Sequence, residues 1–284
     1  MNRTAMSTLA ILAAASSAFA QAGTGVTLST GSLVFKQADW PTVANASAAS
    51  LAISSSDRFR INDLGPNGSN QLGANMWFFR TAGGLKPASN FNNAVLANSS
   101  STSATWTFAT IGNAVGLTAS LTASISQSGP KVGQLNQVMT LSNSTADPIT
   151  IQLFNFMKFH AFVPAGNQVT GSATAISASL TSGTVGYTVT STLSSATSTR
   201  WQIDGSSNSS GVLNSLITAN NYNLNNTAGG NVNALNPMGA LQWQNLVIPA
   251  GGSISAATTY SVIPAPSALA LLGLGGLAAN LRRR

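Results

Sequence analysis

Leu117-Thr118-Ala119-Ser120-Leu121-Thr122-Ala123-Ser124-Ile125 alternates apolar and hydroxyl-bearing side chains without a break. A strand sends successive side chains to opposite faces, so Leu117, Ala119, Leu121, Ala123 and Ile125 line a buried face while the Thr and Ser residues meet water. Similar runs extend from Val26 to Lys36, Asn75 to Thr81, Ala104 to Ile111, Leu135 to Ser142, Ile149 to Phe159, Thr184 to Thr192, Thr199 to Asp204, Gly239 to Ile248 and Ser253 to Val262. Turn-forming clusters separate several of them: Ser128-Gly129-Pro130, Asn143 to Pro148, and Pro249-Ala250-Gly251-Gly252. The expected fold is all-β, an antiparallel β-sandwich with its body over 21–261, two smaller sandwiches being the alternative.

Composition points the same way. The 284 residues are 44% hydrophobic, ample for a core. Only 6% are charged, where an ordinary soluble domain has roughly 25%. Glu is absent, which removes a favoured residue of exposed helix faces, and Ser, Thr, Val and Gly are plentiful. Five Asp, one His and no Cys leave little material for general acid/base chemistry, metal ligation or thiol chemistry. The expectation is a protein without catalytic activity, without a metal and without a cofactor. The net charge of +7 includes Arg3, Arg282, Arg283 and Arg284 near the chain ends; the remaining eight cations are scattered and face five Asp, leaving +3. No basic stripe interleaved with aromatics appears, so no nucleic-acid partner is expected.

Both ends read as addresses. Arg3 precedes an apolar stretch from Met6 to Ala15, then Ser16-Ser17-Ala18-Phe19-Ala20 before Gln21. That order is a secretory signal peptide, a helix over 1–20 cleaved between Ala20 and Gln21, with Ala18 and Ala20 as the small residues of the site. At the other end, over 262–284, Pro264-Ala265-Pro266 is followed by an apolar run to Leu281 and the three terminal arginines. A helix of that length reaches only roughly 23 Å, short of a hydrocarbon core near 30 Å, so this short hydrophobic helix would hold the chain in the inner membrane transiently, its arginines on the cytoplasmic side.

The stretch from Pro264 to Ala279 with the arginines behind it resembles the PEP-CTERM sorting tail of exported bacterial proteins. The resemblance implies processing by an exosortase, export through the secretion machinery, and delivery to the cell surface or an exopolysaccharide matrix. Ala265 stands where the family usually carries Glu. Further motifs, Asp57-Arg58-Phe59, Met76 to Arg80, Leu153 to Phe159 and Leu241-Gln242-Trp243, are similar to a recurrent group of PEP-CTERM proteins to which no activity is attached. The function expected from all this is an exported, non-enzymatic structural protein of the surface or matrix in contact with exopolysaccharide. The alternative is a carbohydrate-binding module that uses exposed aromatics and Asn/Ser/Thr-rich loops.

Individual candidates read mostly as structure. His160 follows an apolar strand, with Asp147 and Asp204 the nearest carboxylates in sequence, and no Gly-x-Ser-x-Gly elbow occurs. The five Asp, at 39, 57, 63, 147 and 204, show no spacing that argues for a hydrolytic pair. Asn62-Asp63 with Asn67, Ser69 and Asn70 resembles an oxygen-rich calcium loop but has one carboxylate where tight sites use more. Asn220 to Asn236 reads as a long solvated insertion. Trp77, Phe78, Phe79, Phe91, Trp106, Phe154, Phe156, Phe159, Trp201 and Trp243 read as core, with a sugar-stacking platform as the rival. Consecutive aromatics at Trp77-Phe78-Phe79 point to both faces of their strand, so one of them meets a second layer.

Overall fold

The computed structural model describes residues 24–37, 58–61, 72–81, 89–91, 94–109, 111, 116–129, 131–159, 168–181, 188–204, 211–218, 221–229 and 237–264. The N-terminal signal helix (1–20) and the C-terminal hydrophobic helix expected from sequence lie outside these residues. No helix among the described residues is long and apolar enough to cross a membrane.

In chain order the elements are β1 (Val26–Thr30), β2 (Leu33–Gln37), β3 (Arg58–Ile61), β4 (Leu72–Thr81), β5 (Ser89–Asn90), β6 (Ala94–Ser99), β7 (Ser103–Phe108), β8 (Leu117–Gly129) and β9 (Val132–Asn143). There follow β10 (Ile149–Phe159), β11 (Gln168–Ser172), β12 (Ala175–Thr181), β13 (Thr188–Ser194), β14 (Arg200–Asp204), α1 (Val212–Thr218), β15 (Thr227–Gly229), β16 (Met238–Ile248) and β17 (Ser253–Pro264). They form an eight-stranded sheet ordered β11-β12-β13-β17-β9-β8-β7-β6, a six-stranded sheet ordered β15-β14-β16-β10-β4-β5, and a small sheet β1-β2-β3. The pairing is antiparallel except where β14 meets β15.

The deciding stretch behaves as its pattern requires. Leu117, Ala119, Leu121, Ala123 and Ile125 are buried, and the Thr and Ser between them are partly exposed. With Trp106, Leu135, Met139, Leu141 and Tyr260 they form the inner face of the eight-stranded sheet. Against it packs the inner face of the six-stranded sheet, with Trp77, Phe79, Leu153, Met157, Leu241 and Trp243. Trp77 and Trp243 stack with ring centroids 5.6 Å apart and planes inclined by 19°. Leu28, Leu33 and Phe35 of the small sheet join this one core, so the two-sandwich alternative is set aside.

A polar knot sits inside the core. Gln137 Oε1 accepts hydrogen bonds from Asn75 Nδ2 at 2.6 Å and Trp77 Nε1 at 3.3 Å, and Asn155 Nδ2 donates to Asn75 Oδ1 at 3.0 Å. These bonds tie the two sheets together at one register, since a slipped pairing leaves buried amides unpaired.

Three sequence expectations need correction. Val26 to Lys36 is two strands joined at Gly31, where φ is +55° and the turn brings Thr30 opposite Leu33. The body is not purely β: Val212, Leu213 and Leu216 occupy one side of α1 and bury against the outer face of the six-stranded sheet. The last strand continues past Ser261 to Pro264, with Val262 fully buried and Pro264 opposite Val189, so the first residue of the sorting motif expected from sequence is also the last residue of a strand.

β17 pairs with β9 on one side and β13 on the other, so without it the eight-stranded sheet falls into two parts. Trp243→Ala, which removes one ring of the stacked pair on the inner face of the six-stranded sheet, is expected to cost about 3–5 kcal/mol, measured by denaturant unfolding. A cost below about 1 kcal/mol would show that this buried ring is not a main support of the core.

Candidate functional site

The two outer faces of the sandwich differ chemically. The eight strands of the larger sheet contain no Lys, Arg, Asp, Glu or His at any position. Their outward side chains are mostly hydroxyls and amides, and many are bonded across strands. Thr105 pairs with Thr122 at 3.0 Å, Thr140 with Ser255 at 2.8 Å, Ser177 with Thr192 at 2.8 Å and Ser179 with Thr190 at 3.0 Å. Thr259 Oγ1 donates to Asn136 Oδ1 at 2.8 Å. Such cross-strand pairs each contribute roughly 0.2–1 kcal/mol and hold the hydroxyl rotors in place. The outcome is a broad polar face without formal charge.

The outer face of the six-stranded sheet carries the charges. Its apolar half, Ala74, Phe78, Phe154, Phe156 and Ala240, is covered by α1 and by Leu224. The other half is roofed by the segment Tyr222–Asn226. Arg80, 5% exposed, donates through Nη1 to Tyr222 O at 3.0 Å and through Nη2 to Gln152 Oε1 at 2.5 Å and Asn223 Oδ1 at 3.1 Å. Burial lowers the Arg80 pKa from its ordinary value. Gln242 Nε2 donates to Gln152 Oε1 and Asn223 Oδ1, both at 2.8 Å, while its Oε1 accepts from Leu224 N at 2.8 Å. Arg200 donates to Leu224 O at 3.0 Å and to Gln244 Oε1 at 2.8 Å. Tyr222 Oη donates to Gln202 Oε1 at 2.6 Å; burial raises this phenol's pKa, and bonds to Ser215 and Gln202 pull it back.

This corrects the reading of Asn220 to Asn236 as a solvated insertion. Among its described residues, Leu224 is fully buried and Thr227–Gly229 pairs with Gln202–Asp204. Asparagines in a row look like loop in sequence because nothing there reveals that two arginines and two glutamines on distant strands will hydrogen-bond the segment's backbone and amides. The nearest signal was Tyr222 and Leu224 among the asparagines.

Asp204 lies 5% exposed, and its Oδ2 accepts from Val212 N at 2.9 Å, which caps the start of α1. Asp147 is exposed in the turn before Pro148, whose carbonyl-side geometry is held by Asn143 Nδ2 donating to Asp147 O at 2.7 Å. His160, Asp39, Asp57, Asp63 and the loop from Asn62 to Asn70 lie outside the described residues. So do Ala18, Ala20 and Gln21, where signal cleavage is expected, and Ala265, Pro266, Arg282, Arg283 and Arg284 of the expected sorting tail. Among the described residues no group of three or more His, Asp or Glu is placed to hold a metal ion.

The aromatics settle the rivalry over a stacking platform. Trp77, Phe78, Phe79, Phe91, Trp106, Phe154, Phe156, Phe159 and Trp243 are all buried, and only Trp201 is partly exposed. Trp201 lies against Gly171 so closely that a Cβ there would collide with its ring. No planar row of exposed rings exists among the described residues, which counts against a binding module of that kind.

No family model matches the chain, and no curated protein matches it. Among solved structures it is similar to a polysaccharide lyase, 11% identical over 84% of this chain and 33% of that one, with a TM-score of 0.42. It is also similar to a galactose mutarotase related enzyme from Lactobacillus acidophilus, 7% identical over 86% of this chain and 98% of that one, with a TM-score of 0.44. A candidate aldose 1-epimerase from Escherichia coli K12 is 9% identical over 85% of this chain and 99% of that one, with a TM-score of 0.43. The chain thus spans 33% of the lyase's length. Likenesses at these identities transfer no activity, substrate or residue role. The expectation of a chain without catalytic activity does not stand: the solved structures it is similar to are described as enzymes, and scarcity of ionisable residues is no proof that a sandwich is catalytically inert.

Two tests follow from the buried polar groups. Arg80→Met is expected to free the Tyr222–Asn226 segment and make limited proteolysis cut there at least about tenfold faster, with unfolding of the sandwich little changed; equal cleavage rates would mean that Arg80 does not anchor it. Tyr260 is wholly buried, which pushes its phenol far up, opposed by the nearby Ser191 hydroxyl. The unfolded chain's tyrosines ionise near pH 10 while folded Tyr260 keeps its proton, so stability falls as pH rises above about 10, and Tyr260→Phe should flatten that fall. Denaturant midpoints taken across alkaline pH check the slope.

Proposed function

We propose that this chain is an exported β-sandwich protein of the cell surface or exopolysaccharide matrix, delivered by a signal peptide over 1–20 and a PEP-CTERM-like tail that an exosortase-type system processes. The secretion machinery and the inner membrane are its transient partners, and exopolysaccharide is its lasting one. The observation that carries the reading is the outer face of the eight-stranded sheet, built from eight strands without a Lys, Arg, Asp, Glu or His. Ordinary soluble proteins stay dispersed through mixed surface charge. A face of hydroxyls and amides adheres instead through hydrogen bonds, which salt screens little, and polysaccharide hydroxyls are its natural complement. The disposition of aromatics supports contact through this polar face in preference to ring stacking.

Mass spectrometry of the protein recovered from its natural location tests the reading. The expected mature chain begins at Gln21 and lacks Arg282, Arg283 and Arg284. Recovery of Met1 and Arg284 together on a chain that stays inside the cell would overturn it.

A further inference from the structure

We propose that the outer face of the eight-stranded sheet is the surface on which a neutral, extended polysaccharide lies, its chain running across the strands along rows of hydroxyl and amide groups. This rests on the matrix reading above and names the surface that makes the contact. One row crosses six strands through Ser126, Gln134, Ser261, Thr192, Ser177 and Thr170, each directly opposite the next. At a strand spacing of about 4.8 Å that row is roughly 24 Å long, enough for several sugar residues. A second row lies one pleat away, through Ser124, Asn136, Thr259 and Ser194.

Three features fit this partner. The mutual bonds Ser177–Thr192 and Asn136–Thr259 hold the groups in place, yet each hydroxyl keeps further hydrogen-bonding capacity for a ligand. Groups fixed before binding lose less side-chain entropy on contact. Next to the second row, Val138, 39% exposed, stands opposite Ala257, and this small apolar step accepts the C–H face of a sugar ring while the rows take its hydroxyls. The charge pattern disfavours an acidic polymer on these rows: the described strand cations lie elsewhere, Arg80, Lys158 and Arg200 in the six-stranded sheet and Lys36, Arg58 and Arg60 in the small one, and Lys131 sits in the β8–β9 turn at the edge of the face. A second copy of the chain is a poorer occupant, since the exposed large apolar side chains described on this face, Val95, Val138 and Ile263, stand apart on β6, β9 and β17, and stable dimer interfaces have apolar centres.

The test is cosedimentation of the protein released by cells with insoluble cellulose, β-1,3-glucan and mannan as neutral polymers and calcium alginate as the acidic one. Binding to at least one neutral polymer, little changed between low and high salt, is expected. The double variant Gln134→Lys/Thr192→Lys should weaken it about tenfold or more, while Gln134→Asn/Thr192→Ser and the opposite-sheet variant Val247→Lys keep it, all three retaining the parent's unfolding midpoint. The proposal is overturned by binding to alginate alone or to none of the four, by equal loss in Val247→Lys, or by no loss in the lysine pair. It is also overturned if the protein sediments as a dimer that the lysine pair splits. Matrix fractionation separates this failure from failure of the broader reading: a lysine-pair variant that still fractionates with the matrix sinks the docking face alone, whereas a parent protein retained inside the cell sinks both.

Discussion

A β-strand must send alternate side chains to opposite faces, and the two large sheets meet that constraint in different ways. The eight-stranded sheet keeps apolar side chains inside and turns hydroxyls outward, so its outer face needs no cover. The six-stranded sheet has large apolar residues on both sides: Phe79 and Leu153 face the core, while Phe78, Phe154 and Phe156 face away from it. Exposed, those three rings would form a large apolar patch. Helix α1 and Leu224 cover them, and much of what lies between β14 and β16 in the chain exists to supply that cover.

The cover has to be fastened, and polar groups fasten it. Asp204 caps α1 from the neighbouring strand, and Arg80, Arg200, Gln202 and Gln242 hold the backbone and side chains of Tyr222–Asn226. An arginine cation buried among neutral oxygens is costly unless its donors are used, and here three acceptors engage Arg80. Arg80, Arg200 and Asp204 of this sheet therefore serve its second layer. The uncharged sheet is left free to meet the surroundings, which is why the proposed polysaccharide contact falls there.

Much of the sandwich was legible residue by residue. The alternation from Leu117 to Ile125 specified one strand and its buried side, and Trp77-Phe78-Phe79 announced a second layer, since three successive rings cannot share one face. Runs such as Leu135 to Ser142 and Ser253 to Val262 became β9 and β17. What escaped was weakly patterned or polar: β6, β11 and β12 are short or built of Ala, Ser and Thr, and Val212 to Thr218 is too short for helical periodicity to stand out. The candidate face was visible only as a low overall charge, because composition does not say which sheet a strand joins.

By itself the sequence determined which side chains on each strand seek the interior, because period-two alternation is a property of neighbours along the chain. It also determined that the eight strands of the larger sheet hold no Lys, Arg, Asp, Glu or His, and it carries the address-like segments at both ends. Only the tertiary structure decided that those eight strands adjoin, that the last of them lies between β9 and β13, and that an asparagine-rich stretch closes over two arginines. Pairing partners far apart in the chain are chosen by burial and by the mutual satisfaction of buried polar groups, and both depend on what the rest of the molecule brings alongside.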